Sequence, residues 1–147
     1  MTGPLTLEST AVHLLRSMPE ALIFCDLEGI IRAWNPAAEK VFGWTATEAV
    51  GQSLDLIIPE RMRKAHWDGF NQAIARGGVK PGRSSAITRS LHKSSDFIYV
   101  DMSFEMVRDE SGRLLGSMAV AREATARFNE EKALRKQLAE LTTKPAA

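Results

Sequence analysis

The chain has 147 residues, 44% of them hydrophobic, with 19 Lys and Arg against 18 Asp and Glu. That length suits one domain with a real core plus an appendage and is too short for two full domains, while the balanced charge provides no field to gather nucleic acid or an anionic membrane. A single cysteine, Cys25, excludes an internal disulfide; no run approaches the ~18 consecutive apolar residues of a membrane span, and the N-terminus lacks a charged start followed by an apolar stretch, so the chain is expected to be soluble and cytoplasmic.

In chain order, Leu5–Ser17 places Leu7, Ala11, Leu14 and Leu15 near helical spacing, predicting a short amphipathic helix that lies on the domain or on a second copy; Met18 and Pro19 end it. The compact apolar run Ala21–Cys25, the turn residues Asp26–Gly29 and a second apolar run, Ile30–Trp34, predict an antiparallel hairpin in which Cys25 is a buried, unreactive thiol. Asn35 and Pro36 then supply an N-cap and a pre-set first residue for a short helix, 37–42, closed by Gly43. Thr45 with Glu48 is a capping-box pair for the next turn, which Gly51 ends.

After a short segment, Ser53–Ile58, the stretch from Pro59 to Gly78 reads as one helix of four to five turns, and Met62, His66, Gly69, Phe70 and Ala73 fall on one of its faces. His66 therefore projects from an apolar stripe, beside a glycine that leaves room for something flat. By spacing alone such a histidine is more often a core or interface residue than a ligand, because a site needs convergent groups.

Beyond a loop at 77–82, Arg83–Leu91 predicts a strand, and Phe97–Val107 alternates clearly, with Ile98, Val100, Met102, Phe104 and Met106 on one face. Residues 92–96 and 109–112 are turns, and Leu114–Ala121 is the last strand. This order predicts an α+β fold: a five-stranded antiparallel sheet with short helices over one face, the inner side of all five strands meeting the His66 helix. Thr125–Leu141 reads as a final helix with Leu134, Leu138 and Leu141 at coiled-coil seam spacing, followed by a loose tail. The expected organisation is an N-terminal cap helix at 1–18, the domain proper at 19–124, and a C-terminal helix and tail at 125–147.

Two strands followed by N-P-A-A-E-x-x-F-G-W at Asn35–Trp44, then Glu48, Gly51 and a three-strand meander, resemble the PAS sensor domain over about Met18 to Glu123. Flavin-based light-sensing members carry a cysteine just after the position of Gly51, where this chain has GQSLDLII. The outline I-P-E-x-x-R-x-x-H-x-x-x-F, from Ile58 through His66 to Phe70, is similar to the heme-binding PAS domains of rhizobial oxygen-sensor kinases and bacterial direct oxygen sensors.

That resemblance implies His66 as the proximal ligand of heme b. Met62, Gly69 and Phe70 would lie beside it, and Met102, Phe104, Met118 and Val120 on the facing strands. Ser84 and Ala86 stand where those sensors place Arg or Met, which leaves the sixth position open or lets Met102, Met106 or Met118 approach. Arg63, Lys80 and Arg83 are the basic candidates for the heme propionates.

The implied function is a non-enzymatic heme sensor of a diatomic gas or of redox state, working as a homodimer through its terminal helices and signalling to a separate partner, without nucleic acid or membrane. The alternative is a PAS module without heme, its pocket filled by its own side chains or by a small apolar ligand, serving dimerisation or partner binding. Three histidines far apart, with no HExxH or CxxC, argue against zinc, and no glycine-rich phosphate loop or hydrolase constellation is present.

Overall fold

The computed structural model describes residues 3–78 and 85–143. Helix α1 (Leu7–Ser17) is followed by strands β1 (Ala21–Asp26) and β2 (Ile31–Trp34), helices α2 (Pro36–Phe42) and α3 (Ala46–Ala49), 3₁₀ turns at Leu54–Ile57 and Glu60–Met62, helix α4 (Arg63–Arg76), strands β3 (Ala86–Leu91), β4 (Phe97–Arg108) and β5 (Leu114–Glu123), and helix α5 (Thr125–Thr143). The strands form one antiparallel sheet in the order β2-β1-β5-β4-β3. This is the expected α+β architecture. No helix among the described residues is long and apolar enough to cross a membrane.

Local chemistry sets the helix starts. Thr6 and Ser9 form a reciprocal capping box for α1, and Thr45 and Glu48 do the same for α3. Asn35 caps α2 by accepting from the Ala38 amide at 3.0 Å, with Pro36 in the first helical position. Its buried side chain also accepts from the Leu22 amide and donates to the Leu15 and Glu20 carbonyls. Asn35 thus ties the end of α1, the start of β1 and the head of α2 together.

The helix expected from Pro59 onward begins later, at Arg63, because residues 60–62 tighten into a 3₁₀ turn. Arg63 then donates to the Ile58 carbonyl at 3.1 Å and the Asp55 carbonyl at 3.3 Å, satisfying backbone acceptors of the preceding segment.

The closed core lies where α2, α3 and the Leu54–Ile57 turn pack on β1 and β2. Ile23, Ile31, Ala38, Phe42, Trp34 and Ile57 are buried there, and Trp34 meets Phe42 with ring centroids 5.5 Å apart. Gly43, at φ +84°, closes α2 where a side chain would collide with the His92 ring. The sheet does not meet α4 along its whole width as expected: that helix lies over β1, β5, β4 and β3, while β2 is covered by α2 and α3.

Register places Ala21, Ile23 and Cys25 of β1 beside Ala121, Ala119 and Ser117 of β5, and these beside Met102, Phe104 and Met106 of β4. All belong to one face, the face under α4. Tyr99, Asp101, Ser103 and Glu105 alternate onto the other face, where α5 begins. There Tyr99 stacks on Phe128 at 3.7 Å and 10°, its amide donates to Thr125 Oγ1 and its carbonyl accepts from the Ala124 amide. Arg127 reaches Asp101 at 3.1 Å.

Candidate functional site

Helix α4 and the sheet flank a half-open cavity of about 480 Å³. Its helix wall is made by Met62, Ala65, His66, Gly69, Phe70 and Ala73, and its sheet wall by Ile23 and Cys25 of β1, Ser117 and Ala119 of β5, Met102, Phe104 and Met106 of β4, and Thr88 and Ser90 of β3. Although α4 roofs the cavity, none of its residues is buried. A helix carrying an apolar stripe toward a sheet normally buries it. Here the stripe looks onto open space.

His66 is half-buried on that wall. Phe70 stacks beside its ring, 24° from parallel at 6.3 Å, and Trp67 meets it edge-on at 4.7 Å. Burial holds its pKa below the ordinary 6.5, an effect larger than the opposing pull of the Asp55 carboxylate, so the imidazole is neutral near pH 7. Its Nδ1 is buried and has no hydrogen-bond partner among the described residues. A buried nitrogen left unpaired is costly.

Trp67, which the spacing argument overlooked, orients this helix. Its Nε1 donates to Asp55 Oδ1 at 2.7 Å, and its ring lies against Gly29, where an added Cβ would stand 2.2 Å from the nearest ring carbon. Gly29, at φ +80°, therefore serves both the turn and the close approach of the indole. The signal available in the sequence was a tryptophan adjoining His66, but its partner lies 38 residues upstream in the β1–β2 turn.

Of the residues expected at the site, the structure brings together Met62, His66, Gly69, Phe70, Met102 and Phe104. Met118 and Val120 lie elsewhere: they pair with Phe24 and Leu22 and with Glu105 and Ser103, on the sheet face turned away from α4. The strand is right and the parity is not, since a one-residue offset moves every side chain to the other face; Ser117 and Ala119 hold the inward positions. Arg63 is also outside the cavity, occupied by its backbone acceptors and 3.9 Å from Asp55.

Ala86 is exposed at the start of β3 and does not line the cavity; further along, Thr88 and the buried Ser90 do. Arg89 directs its guanidinium to the other side, 3.0 Å from the Tyr99 hydroxyl and above Phe97. Lys80, Arg83 and Ser84 lie outside the described residues. The basic groups that do border the cavity on the helix side are the exposed Arg61 and Arg76, and no Asp or Glu is among its described lining residues. Cys25 is buried as expected, and burial pushes its thiol up to about 11.

What can this arrangement do? A cavity with apolar walls, one neutral imidazole and arginines at its edge suits a flat, largely apolar molecule with anionic groups. Those residues fit heme b: His66 would hold the iron, the walls would contact the macrocycle, and Arg61 or Arg76 would meet the propionates. Among the described residues no three His, Cys, Asp or Glu side chains converge to hold a metal ion directly.

The comparisons with known proteins agree on the fold. The sensor protein FixL of Bradyrhizobium diazoefficiens is 39% identical over 61 residues, which is 42% of this chain but 12% of FixL, so the chain spans a small part of that relative. Among solved structures, the PAS domain of a protein from Colwellia psychrerythraea superposes with a TM-score of 0.69 at 18% identity, covering 82% of this chain and 99% of that one. An RNA-binding light-oxygen-voltage receptor superposes with a TM-score of 0.72 at 21% identity over 97% of this chain and 42% of its own. The family model described as the PAS fold matches residues 11–124, and on that match, with the sheet and helix order described above, the chain belongs to the PAS family of sensor domains.

Proposed function

We propose that this PAS sensor domain binds heme b through His66 and senses a diatomic gas or redox state. The observation that carries the reading is the neutral imidazole that lines an apolar cavity from a helix that buries none of its own residues. The local likeness to FixL supports it. Heme would supply an iron centre able to take a gas ligand. The chain's residues would do the rest: Phe70 and Trp67 hold the imidazole, the sheet wall excludes water, and β4 links the cavity to α5.

Signal output follows from the two faces of β4. Its inner face touches the cavity, and its outer face carries the Tyr99–Phe128 stack and the Asp101–Arg127 pair that dock α5. The exposed apolar residues Leu7, Val12 and Leu14 of α1, and Leu134, Leu138 and Leu141 of α5, suit pairing with a second copy. The proposed working unit is a homodimer acting on a separate partner, in the cytoplasm.

A second reading keeps the cavity and replaces heme by another small apolar ligand that hydrogen-bonds His66; the same imidazole on the cavity wall favours it. The variant in which side chains fill the pocket has no support from the unfilled space above Ala119 and Phe104. The test is an absorption spectrum of the purified protein supplied with heme, in the oxidised, reduced and carbon monoxide-treated reduced states, for wild type and His66→Ala. A Soret band that moves on reduction and again with carbon monoxide, and is lost or altered in the variant, is the expected result. Flat spectra from folded wild-type protein would leave the second reading.

A further inference from the structure

We infer that Arg108 is a latch on helix α4: the helix is anchored at its N-terminal end, is held to the sheet at its C-terminal end by this side chain, and opens the cavity by swinging away from β4 when the latch lets go. The two ends are secured differently. At the first, Arg63 donates to the Ile58 and Asp55 carbonyls, and Trp67 donates to Asp55 at 2.7 Å while its ring lies against Gly29. Side-chain hydrogen bonds and an aromatic contact thus act together there. Along its length the helix buries none of its residues.

At the far end α4 closes on Gly77, at φ +82°, whose carbonyl accepts from Arg108 Nη2. The other terminal nitrogen, Nη1, donates to the Gly112 carbonyl in the β4–β5 turn at 3.0 Å. One planar guanidinium therefore bridges the helix end and the sheet, and its charge meets the negative end of the helix dipole. Arg108 is exposed, so water competes for both bonds and the bridge breaks more readily than the anchor at Trp67.

Its position makes that bond a gate. β1 ends just before the turn that carries Gly29, β4 ends at Arg108, and Cys25, Ser117 and Met106 form the cross-strand row between those two ends. Helix α4 runs from Gly29 to Arg108 over this row, and all three residues line the cavity. Releasing Gly77 frees the part of the wall made by Phe70, Ala73 and Arg76, while His66, next to Trp67, stays near the anchor. The latch works in the same way whichever small molecule the cavity takes, so it stands or falls separately from heme binding.

Cys25 is the chain's one cysteine, is 3% exposed and lies on the cavity floor, so its alkylation reports opening. The experiment takes the full chain without added ligand and compares wild type, Arg108→Ala, Arg108→Lys and Arg113→Ala, the last removing another exposed arginine of the β4–β5 turn. It measures N-ethylmaleimide labelling of Cys25 and amide protection by hydrogen–deuterium exchange. Arg108→Ala should speed labelling about three- to tenfold, the worth of one exposed hydrogen bond, and lower protection over Phe70–Arg76 by a similar factor, with β1 unchanged. Arg108→Lys, which keeps the charge without the two-point reach, should fall between, and Arg113→Ala should match wild type. Labelling that ignores Arg108→Ala overturns the latch even if the last turn of α4 frays. An equal effect from Arg113→Ala, or an equal loss of protection in β1, also overturns it. If Arg108→Ala fails to fold, Arg108→Lys decides by the same two readings.

Discussion

The two halves of the layer between helices and sheet are built differently. On the side of α2 and α3 the space is closed by the chain itself: Phe42, Ile23, Ile31 and Ala38 are 0–2% exposed, and Asn35 has all the hydrogen-bond partners its position demands. On the side of α4 the helix stands off the sheet, no residue of it is buried, and the one imidazole has an unpaired buried nitrogen. Native interiors are packed to near crystal density and satisfy their polar groups. The buried Trp44 indole nitrogen, packed against the closed core, is unpaired among the described residues as well, so packing more than hydrogen bonding separates the halves: the close-packed one holds the fold, and the other leaves open space beneath a helix.

Substitutions can break that contrast, most strongly in the closed half. Phe42→Ala, which empties a fully buried site, should lower stability by about 3–5 kcal/mol, measured by urea unfolding. Asn35→Ala strands the Leu22 and Ala38 amides and the Leu15 and Glu20 carbonyls; a loss of about 2–4 kcal/mol is expected from the lost cap and buried unpaired groups. A smaller loss would mean that water reaches these groups.

In the open half the cost should nearly vanish. Ala119→Phe, placed on the cavity's sheet wall, should alter stability by less than about 1 kcal/mol where the same added volume in a packed core costs about 1–3 kcal/mol, while abolishing heme uptake. A large destabilisation would show that the cavity closes in solution. His66→Ala is likewise expected to leave unfolding within about 1 kcal/mol of wild type, since it removes an unpaired buried nitrogen together with some packing, and to lose or alter the Soret band.

The smallest effect is at the α5 junction. Arg127, with Ser85, holds the Asp101 carboxyl below the usual 3.8. A depressed folded value contributes stability above the unfolded pKa, and that contribution is lost as pH falls through the lower folded one. Amide protection in α5, taken relative to the intrinsic exchange rate at each pH, should therefore fall below about pH 4 in wild type and show less pH dependence in Asp101→Asn. Equal pH dependence in both would place the acid-sensitive contact elsewhere.

Most of the closed half could be read directly. The cap at Asn35, the capping box at Thr45 and Glu48, and the apolar run Ala21–Cys25 act over a few residues, and each is where its spacing put it. The same is true of the β4 alternation, which correctly assigned Met102 and Phe104 to the inner face. On β5, by contrast, the mixed run LLGSMAVA has no alternation to distinguish its faces, and Met118 and Val120 fell on the wrong side. Arg63 looked free for an anion because its acceptors are backbone carbonyls, which every residue has.

Periodicity, caps and turn residues thus determined the order of elements, the antiparallel sheet and the helix face that carries His66, because those signals depend on neighbours a few residues apart. Tertiary structure alone decided that α4 leaves a cavity instead of closing it, that Trp67 anchors on Asp55 and Gly29, and that Met106, Ser117 and Cys25 stand in one row beneath the helix. Each of those depends on the register and distance between segments remote in the chain, and neither quantity is encoded in any single local pattern.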